Sequence, residues 1–384
     1  MDLDAFFASC EQLAQPEYRG LPVVVGARPG HRGVVAAASY EARRFGIHSA
    51  MPIAEAFRRC PDAVFLQPDM QKYRRQSRQV FQILETLAPV VEAASIDEAY
   101  LDLSGLEKLL GTPAAIGHEI KQRILDGTGL TASVGIGPNR LIAKLGSEHR
   151  KPDGLTVVFP EQVLDFLAPM PVANLRGLGR QTQKVFSRLG ISTVQQLRTF
   201  PLPLLEQQLG KKAAASFRRQ ALGIASDKVL PGQRRKSISK ETTFEKDIRD
   251  NTRLHDALRG LAADVARTAR TEGLSGAIVT LKIRFAGFET CTRQHKRTTP
   301  TCDEREMLKT AWQLFLDGKL PDKPVRLIGI GLSHWEAHQP AQADLFDQAE
   351  QQRDNTRVLQ TIDAVTEKFG KHLLQVGVPR KPGK

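Results

Sequence analysis

Three acids in this 384-residue chain could do chemistry together: Asp2 in the opening MDLDAFF, and the adjacent Asp97 and Glu98 inside SIDEAYLDLS. Mg²⁺ takes hard oxygen ligands, usually one or two carboxylates with substrate phosphates completing its shell. A pair of such ions activates an oxygen nucleophile and stabilises a phosphate leaving group. An Asp-Glu pair alone is more often a solvated turn, where Asp is common. The distant acid on the opening strand favours a metal site, provided the fold brings all three together.

The elements around them supply that fold. VEAASI (91–96) and AYLDLS (99–104) read as strands flanking a tight Asp97-Glu98 turn, an antiparallel hairpin. LTASVGI (130–136) reads as another strand, after which Pro138 opens a helix to about Ser147. Helical periodicity covers 73–87 and 114–125. Strand, helix, hairpin, helix, strand is the order of a ferredoxin-like α+β sheet, with the first strand beside the hairpin at its centre. On that opening strand Asp4 shares the face of Asp2 by the two-residue period, and Phe6 and Phe7 point to opposite faces. An insertion carrying VVV (23–25) and VVAAA (34–38) has a small core of its own. Residues 160–225 look helical and short-looped, punctuated by Gly177, Gly179, Gly190 and Gly210. A charged linker (226–237) leads to strand-like ETTF, AIVTLKIRF and RLIGIGLSHW, separated by helices at 253–272 and 303–317: a second small α/β domain. From Glu336 the chain turns polar and Gln-rich, with helical periodicity returning at 354–369.

Composition narrows the function. Hydrophobic residues are 41% and charged residues 25%, the balance of a soluble globular chain. Neither an apolar run long enough to span a membrane nor a secretory signal is present, so a cytoplasmic protein is expected. The four cysteines, Cys10, Cys60, Cys291 and Cys302, form no CxxC pair, which argues against structural zinc and for free thiols. The net charge is +13, and it is uneven: residues 1–158 hold 18 basic and 18 acidic groups, 159–225 hold 9 and 3, and 226–335 hold 21 and 14. A neutral module followed by two basic ones suggests a catalytic part joined to parts that grip a polyanion.

MDLDAFFASCE, VVAAASYEARRFGIHSAMP, ASIDEAYLD, ASVGIGPNRLIAKLGSEHRKPDG and NLRGLG, in this order, resemble the Y-family of translesion DNA polymerases and, within it, the DNA polymerase IV type. The resemblance spans nearly the whole chain. It implies an α+β multidomain, right-hand architecture: a ferredoxin-like palm (1–8 and 70–158), small fingers (9–69), a helix-hairpin-helix thumb (159–225), a linker (226–236), an α/β little finger (237–335) and a tail (336–384). It implies low-fidelity, template-directed DNA synthesis past damaged bases, with two Mg²⁺ ions, primer-template DNA, dNTP and a monomeric enzyme. A catalytically inactive DNA-binding scaffold and a two-metal nuclease are the rivals; the retained acids speak against the first, and a steric gate against the second.

Residue by residue, Asp2 and Asp97 match the bridging aspartates and Glu98 the third acid; Asp4 matches no ligand and reads as structural. Phe7 matches the ring that excludes a ribose 2′-hydroxyl, leaving Phe6 to the core. Tyr40, Arg43 and Lys151 match triphosphate contacts, where Arg offers a fork of donors and Lys a point charge; Arg44 and Arg150 read as surface charges. The family's frequent small hydroxyl residue three positions before the tyrosine is Ala37 here. Gly177 and Gly179 match a turn exposing backbone N–H groups to DNA phosphate. Gln342, Leu345 and Phe346 in QADLF resemble the peptide that docks bacterial polymerases on the sliding clamp. Gly33, Val35, Ala36, Ala37 and Ala38 suggest a roomy pocket over the nascent base pair. Because Asp2 is the second residue, where the family has an apolar lead-in strand, the natural protein is expected to begin upstream, with Met1 an internal valine.

Overall fold

The computed structural model describes residues 1–232 and 235–335, together with 358, 359, 361, 363–365 and 368. The chain divides into two compact units, Met1–Gln233 and Arg234–Lys384.

The first unit opens with β1 (Asp2–Leu3), which ends abruptly because Ala5 adopts a left-handed conformation (φ 44°) and turns the chain into α1 (Phe6–Ala14). Asp4 therefore lies in a turn and Phe6 and Phe7 in a first helical turn. The strand alternation expected for these residues does not extend past Leu3. There follow β2 (Val23–Gly26), β3 (Val35–Ala38), α2 (Tyr40–Arg43), α3 (Ile53–Arg59) and β4 (Val64–Leu66). β2 pairs antiparallel with β3 and parallel with β4. Strand alternation splits VVV between two cores: Val24 packs with Val35, Ala38, Ile47 and Ile53, while Val23 and Val25 join the larger core.

That larger core lies under α4 (Met70–Leu87), the hairpin of β5 (Val90–Ala93) and β6 (Ala99–Asp102), α5 (Glu107–Leu110), α6 (Pro113–Thr128) and β7 (Ala132–Ile136). Asp69 caps α4 by accepting from the N–H groups of Gln71 and Lys72, both 3.1 Å. Thr112 caps α6, Pro113 occupies its first turn, and Gly129 (φ 72°) ends it. Ile116, Ile120 and Ile124, one turn apart, are its buried stripe. α7 (Arg140–His149) begins two residues later than expected: Asn139 is the cap, accepting from Leu141 and Ile142 N–H, and Pro138 precedes it. β8 (Leu155–Val157) then pairs parallel with β7.

The remainder of this unit is helical: α8 (Val163–Leu167), α9 (Arg180–Arg188), α10 (Val194–Thr199), α11 (Leu202–Leu209) and α12 (Lys211–Ala221). Phe186, Val194, Leu197, Leu205 and Phe217 fill their shared core. Thr193 and Gln196 form a capping box that fixes the start of α10.

In the second unit β9 (Ser237–Ile248), α13 (Asn251–Thr271), β10 (Gly276–Phe285), β11 (Thr290–Thr301), α14 (Glu304–Asp317) and β12 (Val325–Trp335) form an antiparallel sheet ordered β11-β10-β12-β9. Leu258, Val265 and Ala269 of α13 and Met307 and Ala311 of α14 pack on Val279, Leu281, Ile283, Ile328 and Ile330. β11 is absent from the sequence expectation. It is an edge strand, TCTRQHKRTTPT, with only Cys291 and Thr301 lending it a partly apolar side, so no period of two shows in its hydrophobicity. Described positions between 358 and 368 are helical, with Leu359 buried and Asp363 paired to Arg270 at 2.6 Å. All four cysteines are free. No helix among the described residues is long and apolar enough to cross a membrane.

Candidate active site

β1 is held on both sides. Asp2 is in register with Ser133 of β7 on one side and bridges Glu98 on the other. Leu3 N–H donates to Asp97 O (2.9 Å), Ala99 N–H to Met1 O (3.1 Å), and the Met1 amino group to Ala99 O (2.7 Å). Asp2, Asp97 and Glu98 thus stand on adjoining backbone although 95 positions separate the first two in sequence. Alternation decides which way they face. Leu3, Ala132 and Val134 fill the core, so Asp2, Ser133 and Gly135 turn to the opposite side, where α7 lies. A Cβ at Gly135 would run into the backbone of Ala143, Gly146 and Ser147, so glycine there lets α7 approach closely.

That approach places Lys144 of α7 among the acids. Its Nζ is 2.7 Å from Asp2 Oδ2, 3.0 Å from Glu98 Oε1 and 3.0 Å from Glu148 Oε1. Lys151 Nζ contacts the other Asp2 oxygen. Asp2 is 5% exposed. Burial opposes its ionisation, yet the two ammonium groups outweigh that cost and hold its carboxyl below the usual range. Burial likewise works against the charge on Lys144, and Asp2 with Glu148 and Glu98 reverses this and raises its pKa. Asp97 is held by Ser95: its carboxylate accepts from the Ser95 hydroxyl, and its N–H donates to Ser95 Oγ at 3.2 Å. Among the described residues no three metal-ligating side chains stand together in position to hold an ion. The donor chemistry nevertheless suits a hard divalent cation: three carboxylates on adjoining backbone, with two ammonium groups supplying Asp2 with the charge a metal would bring.

Asp4, read from sequence as structural, is a buried hub. It accepts from Ser133 Oγ (2.8 Å), Asp153 N–H (2.8 Å) and Tyr40 OH (3.4 Å). It thereby ties the loop bearing Lys151 and the helix bearing Tyr40 to the acid strand. Burial, then Asp4, pushes the Tyr40 phenol up to about 12. Arg43 lies with its guanidinium 4.5 Å from the Tyr40 ring centroid and donates from Nε to Ala38 O (3.0 Å). Ala37 offers no hydroxyl, and nearby Ser39 is engaged with the N–H groups of Val23 (3.1 Å) and Ala42 (3.3 Å). Arg44 and Arg150 are exposed. Of the five small residues expected to line one pocket, Val35 and Ala38 belong instead to the core of the insertion, while Ala36 and Gly33 are exposed.

Phe6 is buried in the main core, and Phe7 is half-buried, lying flat on Tyr73 with centroids 4.3 Å apart and planes 12° apart. Tyr73 is fully buried; its hydroxyl donates to Glu11 Oε1 (2.7 Å), whose other oxygen accepts from Lys72 (2.6 Å). Gly177 has φ 81° and Gly179 caps α9, and a Cβ on either would meet nothing within 4 Å. Gln342, Leu345 and Phe346 lie outside the described residues.

Sequence reasoning passed over Lys144 and Tyr73. Lys144 interrupts LIAKL, whose Leu141, Ile142 and Leu145 are all buried, and an acid follows at i+4; a lysine inside an apolar stripe was the available signal. Tyr73 gave none, because a buried aromatic on a helix reads as core.

Comparison with known proteins bears on the family of the chain. The model of the impB/mucB/samB family matches residues 1–148, and that of the family's C-terminal domain matches 235–345. The chain is 43% identical over 346 residues to DNA polymerase IV of Halorhodospira halophila, covering 90% of this chain and 97% of the relative. It is 38% identical over 379 residues to DNA polymerase IV of Dehalococcoides mccartyi (strain CBDB1), covering 98% and 96%. Among solved structures, the Y-family DNA polymerase chimera Dbh-Dpo4(243-245)-Dbh superposes with a TM-score of 0.75 at 28% identity, covering 87% of this chain and 97% of the other. The insertion ternary complex of Dbh DNA polymerase gives 0.63 at 27%, covering 87% and 97%.

Proposed function

The chain belongs to the Y-family of DNA polymerases, of the DNA polymerase IV type, and as a DNA-directed DNA polymerase we propose that it extends a primer 3′-hydroxyl across damaged template at the junction of β1 and the β5-β6 hairpin. The observation that carries this reading is the Asp2–Glu98 bridge, which sets Asp2, Asp97 and Glu98 side by side on backbone.

Asp2, Asp97 and Glu98 are the residues proposed to hold two Mg²⁺ ions. Bound there, the ions would lower the pKa of the primer hydroxyl and offset charge on departing pyrophosphate. The chain's own groups do the rest. Lys151 and Arg43 neutralise triphosphate charge that the metals leave, and Tyr40, oriented through Asp4, donates a hydrogen bond. Phe7, braced flat by Tyr73, closes the space that a ribose 2′-hydroxyl would need. Ala36 and Ala37 leave room over the base pair, which favours tolerance of lesions over fidelity. Gly177 and Gly179, with open space before the N-terminus of α9, receive DNA phosphate on backbone N–H groups, fixing position without reading sequence. The domain roles proposed are palm 1–8 and 70–158, fingers 9–69, thumb 159–225, linker 226–236 and little finger 237–335. Gln342, Leu345 and Phe346 dock the monomeric enzyme on a sliding clamp.

Primer extension on undamaged and abasic templates, with and without Mg²⁺, tests the reading. Mg²⁺-dependent growth of the primer on both supports it. DNA binding without extension would favour a scaffold, and primer shortening a nuclease.

A further inference from the structure

Lys144 is half-buried between acids on two different elements and has a third acid on its own helix. Its ammonium contacts Asp2 and Glu98 inward at 2.7 and 3.0 Å, and Glu148, one turn along α7, at 3.0 Å. Asp2 is shielded, with 7% of its side chain exposed, Glu98 is half-buried, and the Glu148 side chain is 46% exposed. An unneutralised carboxylate as buried as Asp2 is costly, so the inward contacts hold the site together when no divalent ion is present. The same contacts put a positive charge where a cation must enter, and like charges oppose each other.

We propose that Lys144 is a displaceable counter-ion: it neutralises Asp2 and Glu98 in the metal-free protein and withdraws onto Glu148 when a divalent cation takes its place. Glu148 is already in contact, so the withdrawal needs a rotation of the lysine side chain and no movement of α7. Lys151 stays on the second Asp2 oxygen. The proposal rests on the reading of the three carboxylates as metal ligands. Lys144 is thereby a positioning residue with opposite effects on the empty and the filled site.

The test titrates Mn²⁺ into full-length protein without DNA or nucleotide, following free Mn²⁺ by electron paramagnetic resonance. Lys144→Met should bind Mn²⁺ more tightly, on the order of tenfold, because a nearby positive charge is removed. Its melting temperature should fall in the absence of Mg²⁺ and rise further than that of wild type when MgCl₂ is added. Glu148→Gln, a change at an exposed side chain that leaves the fold intact, should bind Mn²⁺ several-fold more weakly, roughly the loss of one charged partner. A merely structural lysine would give the reverse sign for Lys144→Met. Binding by Lys144→Met that is equal to or weaker than wild type, or an unchanged Glu148→Gln, overturns the proposal. Asp97→Asn separates the two levels. Weakened binding there with no gain in Lys144→Met removes the lysine's role alone; unchanged binding in Asp97→Asn removes the carboxylate reading and this proposal with it.

Discussion

Phe7 owes its orientation to a chain of contacts: Lys72 and Glu11 fix the Tyr73 hydroxyl, and the Tyr73 ring supports Phe7. Removing the proposed gate, Phe7→Ala, should raise ribonucleotide incorporation relative to deoxynucleotide on the order of a hundredfold, the scale at which pockets discriminate by shape. Tyr73→Ala should move the ratio in the same direction but less, and should also cost about 3–5 kcal/mol of stability, since a fully buried ring is lost. Competing rNTP and dNTP incorporation gives the first quantity, and denaturant unfolding the second. An unchanged nucleotide ratio in Phe7→Ala would remove it from the gate. Residues of this kind were unequally legible in sequence. Asp97 and Glu98 stood out only in company with Asp2 on the opening strand, since an Asp-Glu pair at a turn is by itself more often a solvated turn. Lys144 did not, because its role depends on a contact 142 positions away in the chain; Asp4 was legible as structural, but its partner Ser133, 129 positions away, was not.

At the scale of elements, the close packing of α7 on β7 is what brings Lys144 to Asp2 and Glu98. Gly135→Ala should push the helix away. The Cβ would meet backbone that cannot yield without shifting α7, a cost on the order of 1–3 kcal/mol. Asn139→Ala should cost about 1 kcal/mol by uncapping the same helix, and it also removes the bond from its amide to Gly223 O (2.8 Å). Chemical denaturation of both variants checks the order, and an Asn139→Ala loss larger than that of Gly135→Ala would count against the packing argument. The hairpin was readable because its strands, VVEA and AYLD, carry apolar residues on either side of a polar turn. β11 was not, because its residues are polar on both faces and its strand character comes from pairing with β10 along Lys282–Thr292 and Thr280–Gln294. The helix start at Asn139 was misplaced onto Pro138, since both residues are good openers and only the cap's hydrogen bonds to Leu141 and Ile142 separate them. β1 was read too long for a similar reason: nothing in MDLDAFF announces that Ala5 takes a left-handed turn.

Across the whole chain the charge is unevenly divided. The residues that hold the acids are neutral overall, while 159–225 and 226–335 carry all of the excess. DNA grip should therefore separate from chemistry. A chain ending at Gly232 keeps the first compact unit and the bonds that tie its last residues down, Leu230 N–H to Glu92 (2.8 Å) among them. It should retain Mg²⁺-dependent extension at raised DNA concentration, with weaker binding and a shallower dependence on salt, because phosphate contacts set that slope. Fluorescence anisotropy across a salt series measures it; an unchanged slope would mean that the second unit does not grip DNA. Leu345→Ala combined with Phe346→Ala should leave clamp-free synthesis intact and abolish stimulation by the clamp.

The central claim is that three acids on adjoining backbone run the reaction while other parts of the chain hold the DNA. Steady-state primer extension by Asp97→Asn and Glu98→Gln, measured beside their affinity for the same primer-template, addresses it most directly. The expected result is a loss of extension on the order of a thousandfold or more, equivalent to removing a metal ligand from the transition state, with DNA affinity within about twofold of wild type. Extension by either variant at a rate comparable with wild type would contradict the account.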